Sequence, residues 1–369
     1  MFNQGSLYSL LLLALTCQMP AASRTVSFTP VLTLSGEDIE AALPDFWNDP
    51  GVLQADDEGN IYIARWECLS RISSDGKSVT PLCRQGQGPG EVTLIRGFVI
   101  QDRKIVVYNL FPSKIIVKSL DGTLLHEYRN PDAKGMDRLC GCWDETYIGY
   151  CNTEYPPLAD GHEQTVDFPV SFMRGKGRKT ALEMESLPQV RMSQSMYVVA
   201  EGARASSPLV AIHVQQIGPY LFWSSTARYA IQRINLLRNV VDKTITPDYD
   251  RQLTPPELPN QPRRPAFLFG AKKYYNPVPE YQNDVRLLLV HNGSLWVMTS
   301  RVSPGAGVSV DVYSPELVLQ RRFEMKLSER VKPEDYSRLV AAVRGSYLYA
   351  LEKDGEENPL IVKYRIDGI

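Results

Sequence analysis

The sequence predicts an all-β chain folded as a six-bladed β-propeller, and three observations lead to this prediction. A short apolar strand with an aromatic or β-branched centre recurs six times in 369 residues, a self-similarity typical of repeat architectures. Glycines (25) and prolines (26) are spread along the chain, as a turn-rich β protein requires. The last repeat has three predicted strands where a blade needs four, and the N-terminal segment contains one predicted strand that has no partner in the first repeat. The six copies span Asn60–Ala64, Lys104–Tyr108, Thr146–Tyr150, Pro219–Trp223, Ser294–Met298 and Ser346–Ala350.

The first two repeats each predict a blade of four antiparallel strands, because alternating apolar residues are interrupted by Gly and Asp turns. In both blades an Asp-Gly pair separates the last two strands, which is a strong hairpin signal. The strands expected in blade one are Val52–Ala55, Ile61–Ala64, Cys68–Ser73 and Val79–Arg84. Those expected in blade two are Gly97–Ile100, Ile105–Tyr108, Lys114–Ser119 and Thr123–Tyr128.

Two of the later repeats are lengthened by insertions. Successive copies of the recurring strand are 44, 42, 73, 75 and 52 residues apart. The two long steps predict insertions at about 152–205 and 247–283, within a single propeller domain that covers residues 24–369. The second insertion holds eight prolines, which exclude a central strand. We therefore expect this segment to be a surface loop.

The two ends of the chain predict how the ring closes. Three strands are expected in the last blade, at Arg338–Val343, Tyr347–Leu351 and Leu360–Ile366. Val26–Leu34 precedes the first blade and has no partner there. We predict that this N-terminal strand completes the last blade as its outer strand, which closes the ring and removes an exposed edge.

The N-terminus has features of an export signal. Leu7–Leu15 is an apolar run interrupted by one serine and too short to cross a bilayer as a helix. Small residues at 21–23 suit cleavage, so residues 1–23 are predicted to be a signal peptide, although a basic start is missing. The alternative is a lipoprotein signal that ends at Cys17. In both cases we expect an extracytoplasmic protein, in the periplasm or at the cell surface, with membrane contact only through a lipid anchor.

The charge balance bears on the class of partner. With 40 basic and 42 acidic residues, the chain lacks the positive excess that is typical of nucleic-acid binding, so we expect no nucleic-acid partner. Only four histidines occur, which limits the metal and acid–base chemistry that the chain can support. We expect a monomer without a cofactor.

Two cysteines are placed for a disulfide. Cys68 and Cys83 lie seven residues before and seven residues after the Asp75-Gly76 turn. A two-residue hairpin would place them opposite each other, near disulfide distance. The alternative is a pair of half-buried free thiols.

A second group of cysteines lies in the third repeat. Cys140, Cys142 and Cys151 are numerous enough for another bridge with one thiol left over, and their pairing stays open. A zinc site is the alternative, for which the C-x-C-x8-C spacing lacks a fixed fourth ligand.

A glycine-rich segment between the first two blades resembles a family motif. Arg84–Glu91 reads RQGQGPGE and is followed by an inner strand, a strand with Tyr and a D-G turn, an arrangement that resembles the NHL-type repeat. It looks especially like the G-x-G-P-G-E segment shared by bacterial exported six-bladed propellers. A phosphate-binding loop is the alternative, but the Lys-Ser/Thr that should follow is missing. The resemblance implies a ligand-binding or sensor module, or, as in a few related propellers, a lyase with a metal near the central axis.

Metal-dependent chemistry on the axis would need histidines and carboxylates that converge there. His126 falls in an outer strand and His162 in an insertion. His213 and His291 occupy comparable points on inner strands, and the alternative is that both are satisfied strand histidines. We therefore assign no catalytic residue and no metal ligand.

Arginines recur at one position of the repeat, nine residues before the reference residue of the next strand. Equivalent positions on inner strands lie on one ring, and loops after the second strands reach the same mouth of the channel. Converging guanidinium groups favour carboxylate, sulfate or phosphate, which arginine binds bidentately. The alternative is structural, with each arginine bound to backbone carbonyls or to an acid such as Glu91. The ring residues are Arg96, Arg138, Arg286 and Arg338, and the loop residues are Arg65, Trp66, Arg228, Arg301 and Lys353.

A second basic segment lies in the proline-rich insertion. It combines Arg263-Arg264 with Lys272–Tyr275, and basic residues interleaved with aromatics can hold polyanions or sugars. The alternative is a solvated loop.

Together these patterns predict an exported, non-enzymatic ligand-binding or scaffold propeller. Its ligand would be a small anion, an acidic glycan or an acidic peptide at the arginine-rich mouth. One alternative is a propeller hydrolase or lyase with a metal or carboxylate site on the axis. Another is a protein-interaction platform that uses the insertions.

Overall fold

The part of the chain that the structure describes is all-β. The computed structural model describes residues 26–35, 53–130, 136–152, 163–198, 204–206, 212–225, 227–254, 267–269, 272–274, 280–303, 307–331, 336, 339–356 and 358–369. These residues include 27 strands and no α-helix. The signal peptide predicted at 1–23 lies outside them.

The strands follow one another with short connections in most of the chain. In chain order they are β1 (Ser27–Leu34), β2 (Leu53–Ala55), β3 (Ile61–Ala64), β4 (Leu69–Ile72), β5 (Val79–Pro81), β6 (Ile95–Gln101), β7 (Lys104–Asn109), β8 (Lys114–Ser119), β9 (Leu124–Arg129), β10 (Arg138–Trp143), β11 (Thr146–Asn152), β12 (Glu163–Arg178), β13 (Ala181–Val198), β14 (Arg204–Ser206), β15 (Ile212–Ile217), β16 (Tyr220–Ser225), β17 (Ile231–Asn235), β18 (Val240–Ile245), β19 (Phe267–Phe269), β20 (Lys272–Tyr274), β21 (Val285–His291), β22 (Ser294–Ser303), β23 (Gly307–Tyr313), β24 (Leu319–Met325), β25 (Val340–Arg344), β26 (Tyr347–Lys353) and β27 (Pro359–Asp367).

Most strands belong to four-stranded antiparallel runs. Four sheets have the orders β2-β3-β4-β5, β15-β16-β17-β18, β21-β22-β23-β24 and β1-β27-β26-β25. The runs β6-β7-β8-β9 and β10-β11-β12-β13 have the same up-and-down order. A single parallel pair between Arg129 of β9 and Ala181 of β13 joins them into one sheet, and β14, which pairs with β13, is its ninth strand. Strands β19 and β20 form a separate ribbon.

The first strands of these runs are arranged around a common centre. Strand β2 contacts β6, β6 contacts β10, and β10 contacts β15. Strand β15 then contacts β21, β21 contacts β25, and β25 returns to β2. A closed cycle of inner strands with antiparallel sheets radiating from it is a propeller arrangement. The all-β fold class and the propeller are thus as the sequence predicts.

Apolar side chains fill the spaces between neighbouring sheets. Tyr62 and Phe98 are fully buried between the β2–β5 sheet and the β6–β9 run. Trp296 and Tyr364 are buried in the same way between the β21–β24 sheet and the C-terminal sheet. Burying one such side chain stabilises the fold by about 2 kcal/mol, so the recurring aromatic strand found in the sequence forms the contact between sheets.

The N-terminal strand closes the C-terminal sheet. Strand β1 pairs antiparallel with β27, from Ser27 opposite Asp367 to Leu34 opposite Ile361. The sheet order β1-β27-β26-β25 makes it the outer strand. The sequence prediction for Val26–Leu34 is therefore confirmed.

Strand direction divides the molecule into two faces. Tight turns join the first to the second strand of each run at one end, which we call the turn face. Three of these turns have residues with positive φ, at Asp102-Arg103, Asp144-Glu145 and Asn292-Gly293, as two-residue hairpin turns require. The connections between runs, and the loops after the second strands, lie at the opposite end, which we call the connection face.

Both expected insertions emerge at the connection face. Strand β11 ends at Asn152, opposite Val170 of β12, and the β12–β13 hairpin continues for seven more residues to Glu163. At about 3.3 Å per residue, this ribbon extends roughly 23 Å beyond the end of β11. The proline-rich stretch follows β18, which also ends at the connection face, and its described part includes the β19–β20 ribbon.

Candidate functional site at the connection face

Three inner strands carry a β-bulge close to a predicted ring arginine. The pairing register shifts between Ile95 and Phe98 in β6 and between Val285 and Leu287 in β21. Arg96 and Arg286 lie inside these two bulges. Strand β10 has its bulge between Leu139 and Gly141, directly after Arg138. Because a bulge re-aims a side chain and increases local twist, it sets where each arginine points.

Arg96 binds the start of the neighbouring inner strand. Its Nε donates to the backbone carbonyl of Asp137 at 3.3 Å. Gly97 makes this approach possible, because it has a φ of 119° and a Cβ there would lie 2.5 Å from the carbonyl oxygen of Leu139. Arg96 thus has the carbonyl-binding role that the structural alternative predicts for the ring arginines.

Arg138 is the exposed member of the group. It is the first residue of β10 and pairs with Tyr150 across the strands. Burial raises the pKa of Tyr150, whereas the guanidinium groups of Arg138 and Arg96 lower it. Both arginines therefore lie near the hydroxyl group of the half-buried Tyr150.

His213 lies between two of the arginines. It is the second residue of β15, as Arg96 is of β6 and Arg286 is of β21. Burial and the charge of Arg138 lower the pKa of His213 to about 4, against a weaker opposing effect of a hydrogen bond with the backbone of Arg286. The imidazole is therefore neutral at neutral pH. The fixed nine-residue offset pointed to Ala211 instead, which lies outside the described residues.

Arg286 is the buried member of the group. Only 6% of its surface is exposed, and its guanidinium donates to the side-chain oxygen of Gln282 at 3.0 Å. The hydrogen bonds and electrostatic effects described above place these side chains, from four consecutive runs of strands, near one another at the connection face. We call this set the arginine arc, and it consists of Arg96, Tyr150, Arg138, His213 and Arg286.

The loop residues Arg65 and Trp66 lie beside the arc. The carbonyl of Trp66 accepts a hydrogen bond from the amide of Ile95 at 2.6 Å, directly before Arg96. The structure therefore brings this loop to the start of β6, as the sequence predicts. The side chain of Trp66 is 54% exposed.

The loop that carries Arg228 and the last part of β22 meet at Asp284. This buried residue precedes β21, and its carboxylate accepts from the amide of Tyr229 at 3.1 Å. Its carbonyl accepts from the amide of Ser300, also at 3.1 Å. Arg301 lies within β22 and not in a loop after it, because β22 continues to Ser303. Arg228 is exposed, while Arg301 lies 4.5 Å from the centre of the Tyr249 ring.

The sequence analysis missed Arg251. Its Nε pairs with the Asp284 carboxylate at 3.0 Å, and its guanidinium lies 4.4 Å from the centre of the Tyr281 ring. Arg251 comes from the proline-rich insertion, which has no repeat register to align. The position of Arg251 next to Asp284 therefore could not be predicted from the repeat pattern.

Some predicted positions lie outside the described residues. These are Arg338 of the ring, Arg263-Arg264 of the second basic segment and His162. Lys353 is described as the last residue of β26. His291 is buried, with its Nε2 3.0 Å from the carbonyl oxygen of Gly345, as the alternative of a satisfied strand histidine predicts.

The RQGQGPGE segment packs onto its own neighbours. A Glu91 carboxylate oxygen accepts from the amide of Gly88 at 2.8 Å, and a Cβ on Gly86 would lie 2.1 Å from that carboxylate. Glu91 thus closes its own loop. The amide of Gly90 is bound by Glu127 of β9, also at 2.8 Å.

Cys68 and Cys83 are free thiols in this structure. Strands β4 and β5 pair Ser70 with Pro81, which is the register that the Asp75-Gly76 turn predicts. The amides of Leu82 and Cys83 both lie near the carbonyl of Leu69, at 2.8 and 3.4 Å, so the pairing becomes irregular before it reaches Cys83. Burial raises the pKa of Cys83 to about 11. The disulfide is not formed in this structure and stays a prediction.

Cys140, Cys142 and Cys151 are also free thiols. Burial raises the pKa of both Cys140 and Cys142 to about 12, which disfavours the thiolate that metal binding needs. Across the described ranges, no group of three His, Cys, Asp or Glu side chains is arranged to hold a metal ion. Within the same ranges, no helix is long and apolar enough to cross a membrane.

Comparison with other proteins finds likeness only in structure. No family model matches the sequence, and no curated protein sequence matches it. A member of the DUF4221 family from Bacteroides vulgatus is similar over 94% of this chain and 100% of its own, at 10% identity and a TM-score of 0.47. The WD40 domain of Neurospora crassa Pan2 is similar over 93% and 97%, at 11% identity and a TM-score of 0.43. The β-propeller domain of Myceliophteria thermophila Cps50 is similar over 92% and 99%, at 10% identity and a TM-score of 0.41.

Proposed function

We propose that the protein is an exported six-bladed, NHL-like propeller that binds an anionic ligand at the arginine arc and catalyses no reaction. Support for six blades comes from the closed cycle β2, β6, β10, β15, β21 and β25. In this interpretation the nine-stranded sheet is two blades, joined by a single residue pair between β9 and β13. Support for export comes from the apolar run Leu7–Leu15 and the small residues that follow it.

One observation carries the binding proposal: Arg138 is exposed at the start of β10, opposite the half-buried Tyr150, and its charge acts on the neighbouring half-buried His213. Arg96 and Arg286 have partners that hold them in place. Arg138 is therefore the exposed guanidinium of the arginine arc, and the other two guanidinium groups are held in place by these partners. A planar guanidinium that is already oriented binds carboxylate, sulfate or phosphate at low entropic cost.

The positions of the two lengthened segments of the chain also favour the connection face. The β12–β13 ribbon and the proline-rich stretch both emerge at the connection face, where the arginine arc lies. The turn face has tight two-residue turns instead. Binding residues of rigid scaffolds are concentrated in long loops at one end, so the connection face is the better candidate.

The test is anion binding by Arg138→Gln, measured by isothermal titration calorimetry with sulfate, phosphate and galacturonate at constant ionic strength. We expect the affinity to fall about tenfold or more, because hydrogen bonds to charged groups contribute about 1.5–3 kcal/mol. The melting temperature of the ligand-free protein should stay within about 2 °C, since the residue is exposed.

Arg344→Gln is the matched control. Arg344 pairs with Asp57 at 2.7 Å at the turn face, and its side chain is similarly accessible. We expect this variant to bind anions as the wild type does. Equal losses in the two variants, or destabilisation by Arg138→Gln with unchanged affinity, would overturn the proposal.

A further inference from the structure

Two large aromatic side chains are exposed beside the arginine arc. Trp66 is 54% exposed and Phe111 is 63% exposed. Trp66 follows β3 and Phe111 follows β7, so each lies in the loop after the second strand of its sheet, at the connection face. Single exposed apolar residues are common, but two on adjacent loops of one face form a candidate surface.

The two loops are fastened to one short segment of backbone. The amide of Ile95 donates to the carbonyl of Trp66 at 2.6 Å, and the hydroxyl of Thr93 donates to the carbonyl of Phe111. The amide of Leu110 donates to the carbonyl of Leu94 at 2.9 Å. Thr93 and Ile95 are two residues apart, so the two attachment points lie at most about 7 Å from each other.

A buried asparagine fixes the same segment from below. Asn109 is fully buried, and its side-chain oxygen accepts from the amides of Thr93 at 2.7 Å and Leu94 at 2.9 Å. Its side-chain nitrogen donates to the carbonyl of Pro112 at 2.8 Å. The backbone under both aromatic residues is therefore held before any ligand arrives, which reduces the entropic cost of binding.

Two arginines are neighbours of the Trp66 loop and its attachment point in the sequence. Arg65 directly precedes Trp66, and Arg96 directly follows the residue that holds Trp66 in place. Two exposed rings on neighbouring fastened loops, at the same face as the arginine arc, suit a ligand with apolar C–H faces and carboxylates. An acidic oligosaccharide has both, because each pyranose ring offers an apolar face to an aromatic ring and each uronate offers a carboxylate.

An acidic peptide fits less well. Its carboxylates lie on flexible side chains, and its recognition normally uses a strand edge or an apolar pocket for alternate side chains. The aromatic side chains here are separate exposed rings on fastened loops. Resting on the anion-binding function proposed above, we propose that Trp66 and Phe111 form a stacking platform that makes the site specific for uronate-containing oligosaccharides.

The test compares Trp66→Ala and Phe111→Leu with the wild-type chain in calorimetric titrations. The probes are hexagalacturonate, a neutral galactohexaose and sulfate. We expect each substitution to weaken hexagalacturonate binding about tenfold and to leave sulfate binding unchanged, since stacking contributes about as much as one order of magnitude in affinity. Leu237→Ala is the control, because Leu237 is 66% exposed but lies after β17, away from both loops.

The outcomes separate this proposal from the one on which it rests. Unchanged hexagalacturonate affinity in both aromatic variants, with weaker binding by Arg138→Gln, would refute the platform and leave the anion site standing. Galactohexaose bound as tightly as hexagalacturonate would also refute it. Hexaglutamate bound as tightly, with the same dependence on Trp66, would point to a peptide and refute the saccharide. Absence of binding by the wild type to hexagalacturonate and to sulfate would overturn both proposals.

Discussion

Lys114 and Glu127 form a buried ion pair, with 3.1 Å between Nζ and a carboxylate oxygen. The lysine side chain is fully buried, and its ammonium group also donates to the carbonyl of Gly88 at 2.8 Å. The same carboxylate oxygen accepts from the amide of Gly90. The pair therefore fastens the RQGQGPGE segment to β8 and β9, which explains a conspicuous motif without any ligand.

We predict that Lys114→Met lowers the free energy of unfolding by about 3 kcal/mol, because the largely buried Glu127 carboxylate loses its buried cation and keeps only the exposed Arg129, whose Nε lies 3.8 Å away. Urea denaturation monitored by tryptophan fluorescence measures this change. Lys104→Met is the matched control, since Lys104 and Glu145 are 3.9 Å apart and largely exposed. An exposed pair contributes about 0–1 kcal/mol, so equal losses in the two variants would contradict the prediction.

Gly97 permits the close approach of β6 to β10 beside Arg96. We predict that Gly97→Ala destabilises the protein by roughly 2–4 kcal/mol, because left-handed backbone costs about 1–2 kcal/mol and the new Cβ would also meet the carbonyl of Leu139. Gly293→Ala separates the two causes. Gly293 has a φ of 72°, and a Cβ added there would have no atom within 4 Å, so only the backbone cost of about 1–2 kcal/mol remains. Thermal unfolding of both variants measures the two losses, and equal losses would show that the close approach to Leu139 contributes nothing.

The sequence predicted the features that depend on repeat and alternation. Val26–Leu34 was recognisable because the last repeat lacks one strand, and pairing with β27 covers the edge that this leaves. The register of β4 and β5, from Ser70 opposite Pro81 to Ile72 opposite Val79, followed from the Asp75-Gly76 turn. These features depend on turn residues that are close in sequence or on the period of the repeat, and both can be recognised in a single sequence.

The site was less predictable, because it depends on departures from the repeat. A bulge adds one residue to β6 and to β21 without any sequence signature here. The reference residue of the fourth repeat is also the first residue of its strand and not the second, so a constant offset selected Ala211, two residues before His213. Arg251 reaches Asp284 from an insertion that has no periodicity. Contacts of this kind arise from tertiary structure and cannot be counted along the chain.

The cysteine pair on β4 and β5 gives a redox prediction. Under oxidising conditions we expect Cys68 and Cys83 to form a disulfide that stabilises the protein by about 3 kcal/mol, the value expected for a loop of this length. Urea denaturation with and without dithiothreitol measures the difference, and Cys68→Ser should abolish it. A count of five reactive thiols in oxidised, unfolded protein that begins after Cys17 would contradict the bridge.

His213 makes the stability of the protein depend on pH. Its pKa is lowered to about 4 in the folded chain, from an ordinary value of 6.5, mainly by burial and next by Arg138. Between these values the unfolded chain binds the proton and the folded chain does not, so acid favours unfolding. The stabilisation from the neutral imidazole is complete above pH 6.5 and is lost as the pH falls toward 4, by at most about 3 kcal/mol.

We therefore predict that His213→Gln flattens the dependence of unfolding free energy on pH between 6.5 and 4, measured by urea denaturation at several pH values. His126→Gln, at an exposed position of β9, is the control and should leave the wild-type slope unchanged. An anion bound at the arginine arc would favour the protonated imidazole. Ligand should therefore stabilise the wild type more at pH 5 than at pH 8, and His213→Gln should remove that difference. A wild-type slope that persists in His213→Gln would show that other groups, such as His291, carry the pH dependence.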